Sequence, residues 1–200
     1  KYNFEPADKF VALGDKMKAF VVGHTLVWHN QTPDWVFEDA DKNLLEKEAL
    51  IKKMEDHIET VVGRYKGKVH GWDVVNEAIF DDGQMRTSKW YNAAGKDFIK
   101  RAFIKANKMD PEAELYYNDY NMWKPEKRNT AIALAKELRA EGIQIDGIGI
   151  VMAQEIRQLR NARGPHAQMY VGKEQRADAP HFPRLIGQIA SSSVRLGPRP

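Results

Sequence analysis

The sequence predicts an α/β fold built around a parallel β-sheet. Strand-like and helix-like segments alternate strictly between residues 7 and 150, which is typical of βαβ units. The strand-like segments are short and nearly continuous in apolar character, as expected for parallel strands covered on both faces. A glycine-rich phosphate loop and internal repeats are both missing from the sequence, which argues against a dinucleotide-binding sheet.

The predicted elements begin with a helix over residues 7–18, where Phe10, Leu13 and Met17 recur at helical spacing. Residues 19–29 follow as a buried strand rich in β-branched side chains. A second helix carries one apolar face, formed by Leu50, Met54, Ile58, Val61, Val62 and Tyr65. Gly67 ends this helix, and residues 69–75 form the second strand.

The second half of the predicted sheet repeats the same alternation. A helical stripe consists of Phe98, Ile99, Ala102, Phe103 and Ala106, and residues 114–120 form the third strand. Another helix is lined by Ala131, Leu134, Ala135 and Leu138. Gly142 is its expected cap, and residues 143–150 form the fourth strand.

Composition sets limits on the kind of protein. The chain has 200 residues, of which 42% are hydrophobic and 30% charged, so it predicts a globular domain with a core. No apolar run approaches the roughly 20 residues that a membrane span needs, so no membrane partner is expected. The absence of cysteine excludes disulfides, thiol nucleophiles and zinc–thiolate sites.

The C-terminal quarter differs in composition from the rest of the chain. Residues 151–200 contain eight basic and three acidic residues, a balance of +5, and seven of the eight are Arg. The remaining chain holds 23 basic and 25 acidic residues, a balance of −2. We therefore predict a domain over residues 1–150 and an atypical Arg-rich tail over 151–200. Residues 154–163 of the tail could form a polar helix, and the rest of the tail is predicted to be irregular. The tail lacks the aromatic residues and the spacing of a nucleic-acid-binding module, so it is not expected to bind nucleic acid.

A carboxylate and an amide close the second predicted strand. Asn76 and Glu77 follow the apolar pair Val74-Val75, and in parallel β/α architectures the C-terminal strand ends form the active-site face. Glu77 would be partly desolvated there, which suits a general acid. The alternative is a strand-end glutamate in a surface salt bridge.

Aromatic and imidazole side chains close the neighbouring strands. His24 and Trp28 lie on one face of the first strand, whereas His29 faces the other way, so the two histidines cannot easily share a metal ion. An indole can stack on a pyranose while an imidazole bonds a hydroxyl, although a core Trp beside a satisfied His explains the pattern equally well. Tyr120 ends the third strand and could also stack on a sugar. No metal or cofactor is expected.

Three stretches in collinear order resemble glycoside hydrolase family 10, the endo-β-1,4-xylanases. They are Gly23-His24-Thr25-Leu26-Val27-Trp28-His29, Trp72-Asp73-Val74-Val75-Asn76-Glu77-Ala78 and Tyr117-Asn118-Asp119-Tyr120-Asn121. Tyr2-Asn3-Phe4 with Ala7-Asp8, and Asp146-Gly147-Ile148-Gly149, match in order as well, so the resemblance spans about residues 1–150.

The resemblance implies a (β/α)8 barrel, here a partial one of about four parallel strands, that hydrolyses xylan with retention. It assigns Glu77 as the acid/base and Asn76 as the residue that bonds the sugar 2-hydroxyl next to the cleavage point. His24 and Trp28 match residues lining the non-reducing side, and Tyr120 matches, more weakly, one on the leaving-group side.

The chain departs from the family pattern in three places. It starts near the family's second helix, so the first two strands with their Asn and Lys sugar contacts are missing. Val151-Met152-Ala153 stands where the family has Gln and His. The Thr-Glu of the seventh strand, which supplies the nucleophile, has no counterpart, because Glu155 and Glu174 lack its context.

These departures define the functional expectations. The chain should hydrolyse xylan weakly or not at all, and the alternative is a non-catalytic fragment that binds xylo-oligosaccharides. Open sheet edges predict pairing with a second copy that approximates a closed barrel. The chain shows no signal peptide, and the resemblance implies a secreted protein.

Overall fold

The structure, a computed structural model, describes residues 2–151 and the backbone of residues 191–195. These residues form one five-stranded sheet in the order β1-β2-β3-β4-β5, together with five α-helices. In chain order the elements are α1 (Glu5–Lys16), β1 (Val22–Trp28), α2 (Lys47–Arg64), β2 (Gly71–Asn76), α3 (Lys89–Ala94), α4 (Asp97–Met109), β3 (Glu114–Tyr120), α5 (Pro125–Ala140), β4 (Gly147–Val151) and β5 (Ser191–Arg195).

The predicted fold class is confirmed, because β1 to β4 pair in parallel with a helix between each successive pair. Strands that follow one another in the chain are also neighbours in the sheet. Since β–helix–β crossovers are right-handed, this order places all the crossover helices on the same face of the sheet. Packing of α2 against α4 agrees with that arrangement. The result is an arc of a (β/α) barrel rather than a doubly wound sheet.

The side chains of β3 show how the two faces of the sheet differ. Leu115 and Tyr117 belong to the hydrophobic core under the helices, and Asp119 on the same face pairs with Lys127 of α5. Asn118 points to the opposite face, where its side chain meets that of Asn76 on β2. Because successive side chains of the strand point to opposite sides, one face of β3 packs against the helices and the other is a polar inner face.

Glycines on neighbouring strands make room for large side chains on the inner face. A Cβ added at Gly23 of β1 would lie 2.2 Å from ring carbons of Trp72 on β2. A Cβ added at Gly149 of β4 would lie 2.4 Å from Oδ1 of Asn118 on β3. Trp72 is only 5% exposed and belongs to the hydrophobic core. Each glycine is thus required by close approach to one identifiable side chain.

Several elements differ from the sequence-based prediction. The fourth strand begins at Gly147 rather than 143, because the Ile143 N–H bonds the Leu138 carbonyl that ends α5. α3 was not predicted; it has only six residues and is capped by Ser88, whose side chain accepts from the Tyr91 N–H. β5 also was not predicted, since its Ser-rich sequence lacks an apolar alternation, and it runs antiparallel to β4.

The predicted polar helix at 154–163 lies outside the described residues. In the part of the chain that is described, no helix is both long enough and apolar enough to cross a bilayer.

Candidate active site

The predicted acid Glu77 stands directly after the C-terminal end of β2 with a left-handed backbone, φ +56°. This conformation costs a non-glycine residue roughly 1–2 kcal/mol, so its surroundings must hold it. The Glu77 N–H donates to the Asn118 carbonyl at 2.9 Å, and its own carbonyl accepts from Arg86 Nε at 2.7 Å. The next N–H, that of Ala78, donates to the Tyr117 hydroxyl at 3.1 Å.

The Glu77 carboxyl group faces the end of β1. Trp28 donates its indole N–H to Glu77 Oε2 at 2.9 Å. The Trp28 backbone is held as well, because the Trp90 indole N–H of α3 donates to the Trp28 carbonyl at 3.0 Å. Two strand ends 49 residues apart in sequence therefore place an acid against an indole.

Asn76 precedes Glu77 and is buried, with 3% of its surface exposed. A 2.8 Å hydrogen bond joins its side-chain amide to that of Asn118 on β3. Because the two amides lock together, Asn76 presents a fixed polar group on the inner face beside the Glu77 carboxyl.

His24 lies on the Trp28 side of the site. Its Nδ1 is 2.8 Å from Oδ2 of Asp73, a buried carboxylate of β2, while the imidazole remains over one-third exposed. The His24 and Trp28 rings meet edge to face with centroids 6.3 Å apart. The peptide bond between His24 and Thr25 is cis, and the β1–β2 register shifts after His24. Because more than one-third of the imidazole is exposed, its exposed edge is available to a hydroxyl group.

Tyr120 stands on the opposite side of Glu77, at the end of β3. Arg86 links the two, because one of its terminal nitrogens donates to the Tyr120 hydroxyl at 3.2 Å while its Nε holds the Glu77 carbonyl. The Lys127 ammonium lies over the Tyr120 ring, 3.7 Å from the centroid. The tyrosine ring is therefore fixed in place by two cations.

A buried ionic group supports the site from the helical face. Lys127 Nζ is 2.8 Å from Asp119 Oδ1, and both side chains are fully buried. Lys127 also lies 3.3 Å from Asp81, a residue of the loop that follows Glu77. Asp119 Oδ2 accepts from the Tyr117 hydroxyl at 2.5 Å.

Burial decides how these supporting groups titrate. Burial, reinforced by the charge of Asp119, raises the pKa of Tyr117 well above its usual value, so its hydroxyl stays protonated and can donate. Burial also raises the pKa of Asp119, while Lys127 and the Tyr117 hydroxyl oppose that rise.

A small cavity lies at the C-terminal ends of β1 and β2, next to α3 and α4. It is lined by Val27, Trp28, His29, Val75, Asn76, Glu77, Ala78, Ser88, Trp90 and Phe98. Burial lowers the pKa of His29, and the positive charge of Arg86 lowers it further, so its imidazole tends to be neutral. Among the described residues, no group of three His, Asp or Glu side chains is arranged to hold a metal ion.

Comparison with known proteins places this geometry in a family. The sequence profile of glycosyl hydrolase family 10 matches residues 1–169, which is most of the chain. The chain belongs to glycosyl hydrolase family 10. The match continues past residue 150, where the motif-based resemblance stops.

Individual family 10 relatives agree with the profile. The chain is 52% identical over 149 residues to endo-1,4-beta-xylanase A of Xylanibacter ruminicola, covering 74% of this chain and 40% of that protein. It is 54% identical over 132 residues to an endo-1,4-beta-xylanase of Geobacillus stearothermophilus, covering 65% and 40%. The chain thus spans about two-fifths of the length of these relatives.

A solved structure confirms the fold. A family 10 endoxylanase retrieved from a sugarcane soil metagenome superposes with a TM-score of 0.74 at 50% sequence identity. The superposition covers 75% of this chain and 44% of that one. The predicted partial (β/α)8 barrel is therefore confirmed as the architecture of the described residues.

The family 10 site contains residues that the sequence alone did not point out. Trp28, Asn76, Glu77 and Tyr120 lie at or directly after the C-terminal ends of β1, β2 and β3, whereas His24 is the third of the seven residues of β1. Arg86, Tyr117 and Lys127 were not predicted. Lys127 could have been recognised from the sequence, because it precedes Ala131 by four residues and so falls on the apolar stripe of α5. A charged residue on such a stripe indicates a buried partner. Arg86 and Tyr117 left no comparable signal in the sequence.

Proposed function

We propose that the chain carries the acid/base half of an endo-1,4-β-xylanase site, with Glu77 as the acid/base of a retaining hydrolysis. One observation carries the proposal. In a chain of family 10, the Glu77 carboxyl stands at the active-site edge of the sheet, 2.9 Å from the Trp28 indole and next to Asn76. The names of the relatives supply the substrate class, xylan or a xylo-oligosaccharide.

In the proposed reaction Glu77 gives its proton to the oxygen that leaves the anomeric carbon. A second carboxylate, about 5.5 Å from the first in retaining enzymes, attacks that carbon from the other face. Glu77, now ionised and accepting the Trp28 N–H, then removes a proton from the water that releases the sugar.

The other side chains would orient the sugar around the scissile bond. Asn76 would bond the 2-hydroxyl, and His24 with Trp28 would line the non-reducing side. Tyr120, held by Arg86 and Lys127, would stack on the leaving-group side. Each of these roles depends either on a residue at the end of a strand or on an interaction between residues that are at least nine positions apart in the chain.

Hydrolysis by this chain should be weak, because the Thr-Glu that supplies the nucleophile in the family has no counterpart in the sequence. Removing one member of a catalytic pair typically lowers the rate by several orders of magnitude. The same observation favours a second candidate function, that of a binder which holds xylo-oligosaccharides at His24, Trp28 and Asn76 without cleaving them.

The test is reducing-sugar release from xylan, and calorimetric titration with xylohexaose, for wild type and Glu77→Gln. We expect slow release that Glu77→Gln abolishes, with xylohexaose still bound by the variant. Glu141→Gln, which changes an exposed glutamate at the end of α5, is the matched control and should behave as wild type. Release that survives Glu77→Gln would contradict the role of Glu77, and binding without any release would favour the binder.

We also propose that two copies of the chain associate through α1 and the free edge of β1. β1 pairs only with β2 among the described strands, so its other edge is unpaired. α1 exposes a stripe of large apolar side chains at helical spacing: Phe10, Leu13 and Met17. We propose secretion from the family resemblance alone.

A further inference from the structure

The backbone on the C-terminal side of Glu77 is held by three separate groups. The Asn118 carbonyl and the Arg86 side chain bind the Glu77 peptide groups, and the Tyr117 hydroxyl accepts the Ala78 N–H at 3.1 Å. The Tyr117 bond is buried, whereas the Arg86 bond is only partly buried, so water cannot take the place of the Tyr117 hydroxyl. Its loss would leave the Ala78 N–H without a partner next to a residue in a left-handed conformation.

The Asp119 carboxylate fixes the direction of the Tyr117 hydroxyl. Asp119 accepts the hydroxyl proton at 2.5 Å, and the fully buried Lys127 lies 2.8 Å from the other oxygen of the same carboxylate. Because the proton is directed at Asp119, the lone pairs of the hydroxyl face the Ala78 N–H. A chain of contacts therefore runs from a buried lysine on α5 to the peptide that follows Glu77.

The far end of this chain of contacts is the Glu77 carboxyl. Its hydrogen bond to the Trp28 indole, 2.9 Å long, requires the backbone after β2 to turn sharply. A small rotation at Glu77 or Ala78 would swing the carboxyl away from the indole, since the side chain is carried by that turn.

We propose that Tyr117 is a positioning residue for Glu77. Its hydroxyl fixes the backbone after β2 and so aims the carboxyl group at the Trp28 indole. The inference rests on the proposed function only in giving Glu77 its chemical role, and the geometry can be tested without any sugar.

The experiment uses the indole N–H resonances of the ¹⁵N-labelled full chain, which has five tryptophans. Four proteins are compared: wild type, Glu77→Gln, Tyr117→Phe and Tyr116→Phe. Tyr116 is the matched control, because it lies on the same strand and its hydroxyl also binds a carboxylate, that of Glu114, at 2.5 Å. The hydroxyl of Tyr116 is not bonded to the Glu77–Ala78 peptide, and the Trp28 signal is assigned with Trp28→Phe.

The expected result is a displacement of the Trp28 resonance alone. In Tyr117→Phe it should move toward its position in Glu77→Gln by roughly half of the separation or more, since one of three anchoring hydrogen bonds is lost. The resonances of Trp35 and Trp72 should stay in place, and Tyr116→Phe should leave Trp28 where it is in wild type.

Four outcomes would overturn the proposal. The Trp28 resonance could stay unchanged in Tyr117→Phe, or it could move to the same extent in Tyr116→Phe. Displacement of all five indole resonances, or loss of folding in Tyr117→Phe, would show that the hydroxyl holds the core together rather than aiming one carboxyl group.

Titration with xylohexaose separates this inference from the proposed function. Where wild type binds the sugar, Tyr117→Phe should bind it about fivefold to tenfold more weakly, the effect of one lost hydrogen bond. Failure of wild type to bind would defeat the proposed function, while the indole resonances would still decide whether Tyr117 positions Glu77.

Discussion

Single residues of this chain are constrained most strongly where two strands touch. Gly23 and Trp72 share one space on the inner face, as Gly149 and Asn118 do two strands further on. Glu77 is constrained in another way, because its left-handed backbone is tolerated only while neighbouring groups hold it. The site is therefore rigid at the level of individual backbone positions.

The packing at Gly23 gives a residue-scale prediction. Gly23→Ala places a methyl group 2.2 Å from the Trp72 ring, and such overpacking should lower the free energy of unfolding by about 1–3 kcal/mol. Gly63→Ala is the control, because its Cβ lies on an exposed part of α2 and meets only Met109 Cε at 3.4 Å. Gly63→Ala should raise stability by about 0.5–1 kcal/mol.

Urea denaturation of the two variants and wild type provides the measurement. Equal stability of Gly23→Ala and wild type would mean that Trp72 is free to move, contrary to its buried place in the core.

Residue-scale reasoning from the sequence predicted site residues at the strand ends but none of the residues that support them. Glu77 and Asn76 were predicted because polar side chains at the end of an apolar strand are unusual. Tyr117 was missed because a tyrosine within a strand gives no sign of which peptide its hydroxyl holds. That peptide N–H, of Ala78, lies 39 positions earlier in the chain, so the contact depends on the pairing of β2 with β3.

At the scale of elements, ion pairs attach the helices to one another and to the sheet. On the outer surface, Lys100 of α4 joins Glu137 at 3.3 Å and Glu141 at 2.5 Å, and its side chain is 24% exposed. Under α5, Lys127 joins Asp119 and Asp81 with no exposure at all. Both lysines bridge two carboxylates, but only the Lys127 side chain is fully shielded from water.

This contrast gives an element-scale prediction. Lys127→Met leaves the buried Asp119 carboxylate unpaired and should destabilise the protein by about 3–5 kcal/mol. Lys100→Met removes only surface pairs and should change stability by less than about 1 kcal/mol, an effect that shrinks further at high salt. Thermal unfolding of both variants at low and high salt is the measurement. Equal effects of the two substitutions would contradict the difference in burial.

The elements themselves followed from the sequence wherever they were long and periodic. The strand at 114–120 has the bounds predicted for it, and α2, α4 and α5 carry the predicted apolar faces. α3 and β5 were missed, since six helical residues and a run of serines have no periodicity to detect.

At the scale of the whole molecule, the arc of four parallel strands leaves surfaces that a closed barrel would cover. The free edge of β1 and the stripe of Phe10, Leu13 and Met17 lie at the same end of the chain. Large apolar side chains grouped on one helix are unusual on the surface of a monomer. We propose that a second copy of the chain covers this edge and this stripe.

The whole-molecule prediction is that light scattering gives about twice the chain mass of 22.9 kDa. Leu13→Lys should shift the protein toward monomer by placing a charge within the apolar stripe. Ile104→Lys is the matched control, because Ile104 is also 48% exposed but lies on α4. A well-folded wild-type monomer would contradict the proposal, as would equal dissociation by both variants.

The sequence by itself determined the α/β class, the order of strands and helices, and the five residues proposed to meet the sugar. These follow from hydrophobic periodicity and from short motifs, both of which are local properties of the chain. Only the tertiary structure decided that Trp28 meets Glu77, that Tyr117 holds the peptide after Glu77, and that Lys127 is buried beneath Tyr120. The physical reason is that each contact joins separate elements, so it depends on strand register and helix packing, which no local pattern encodes.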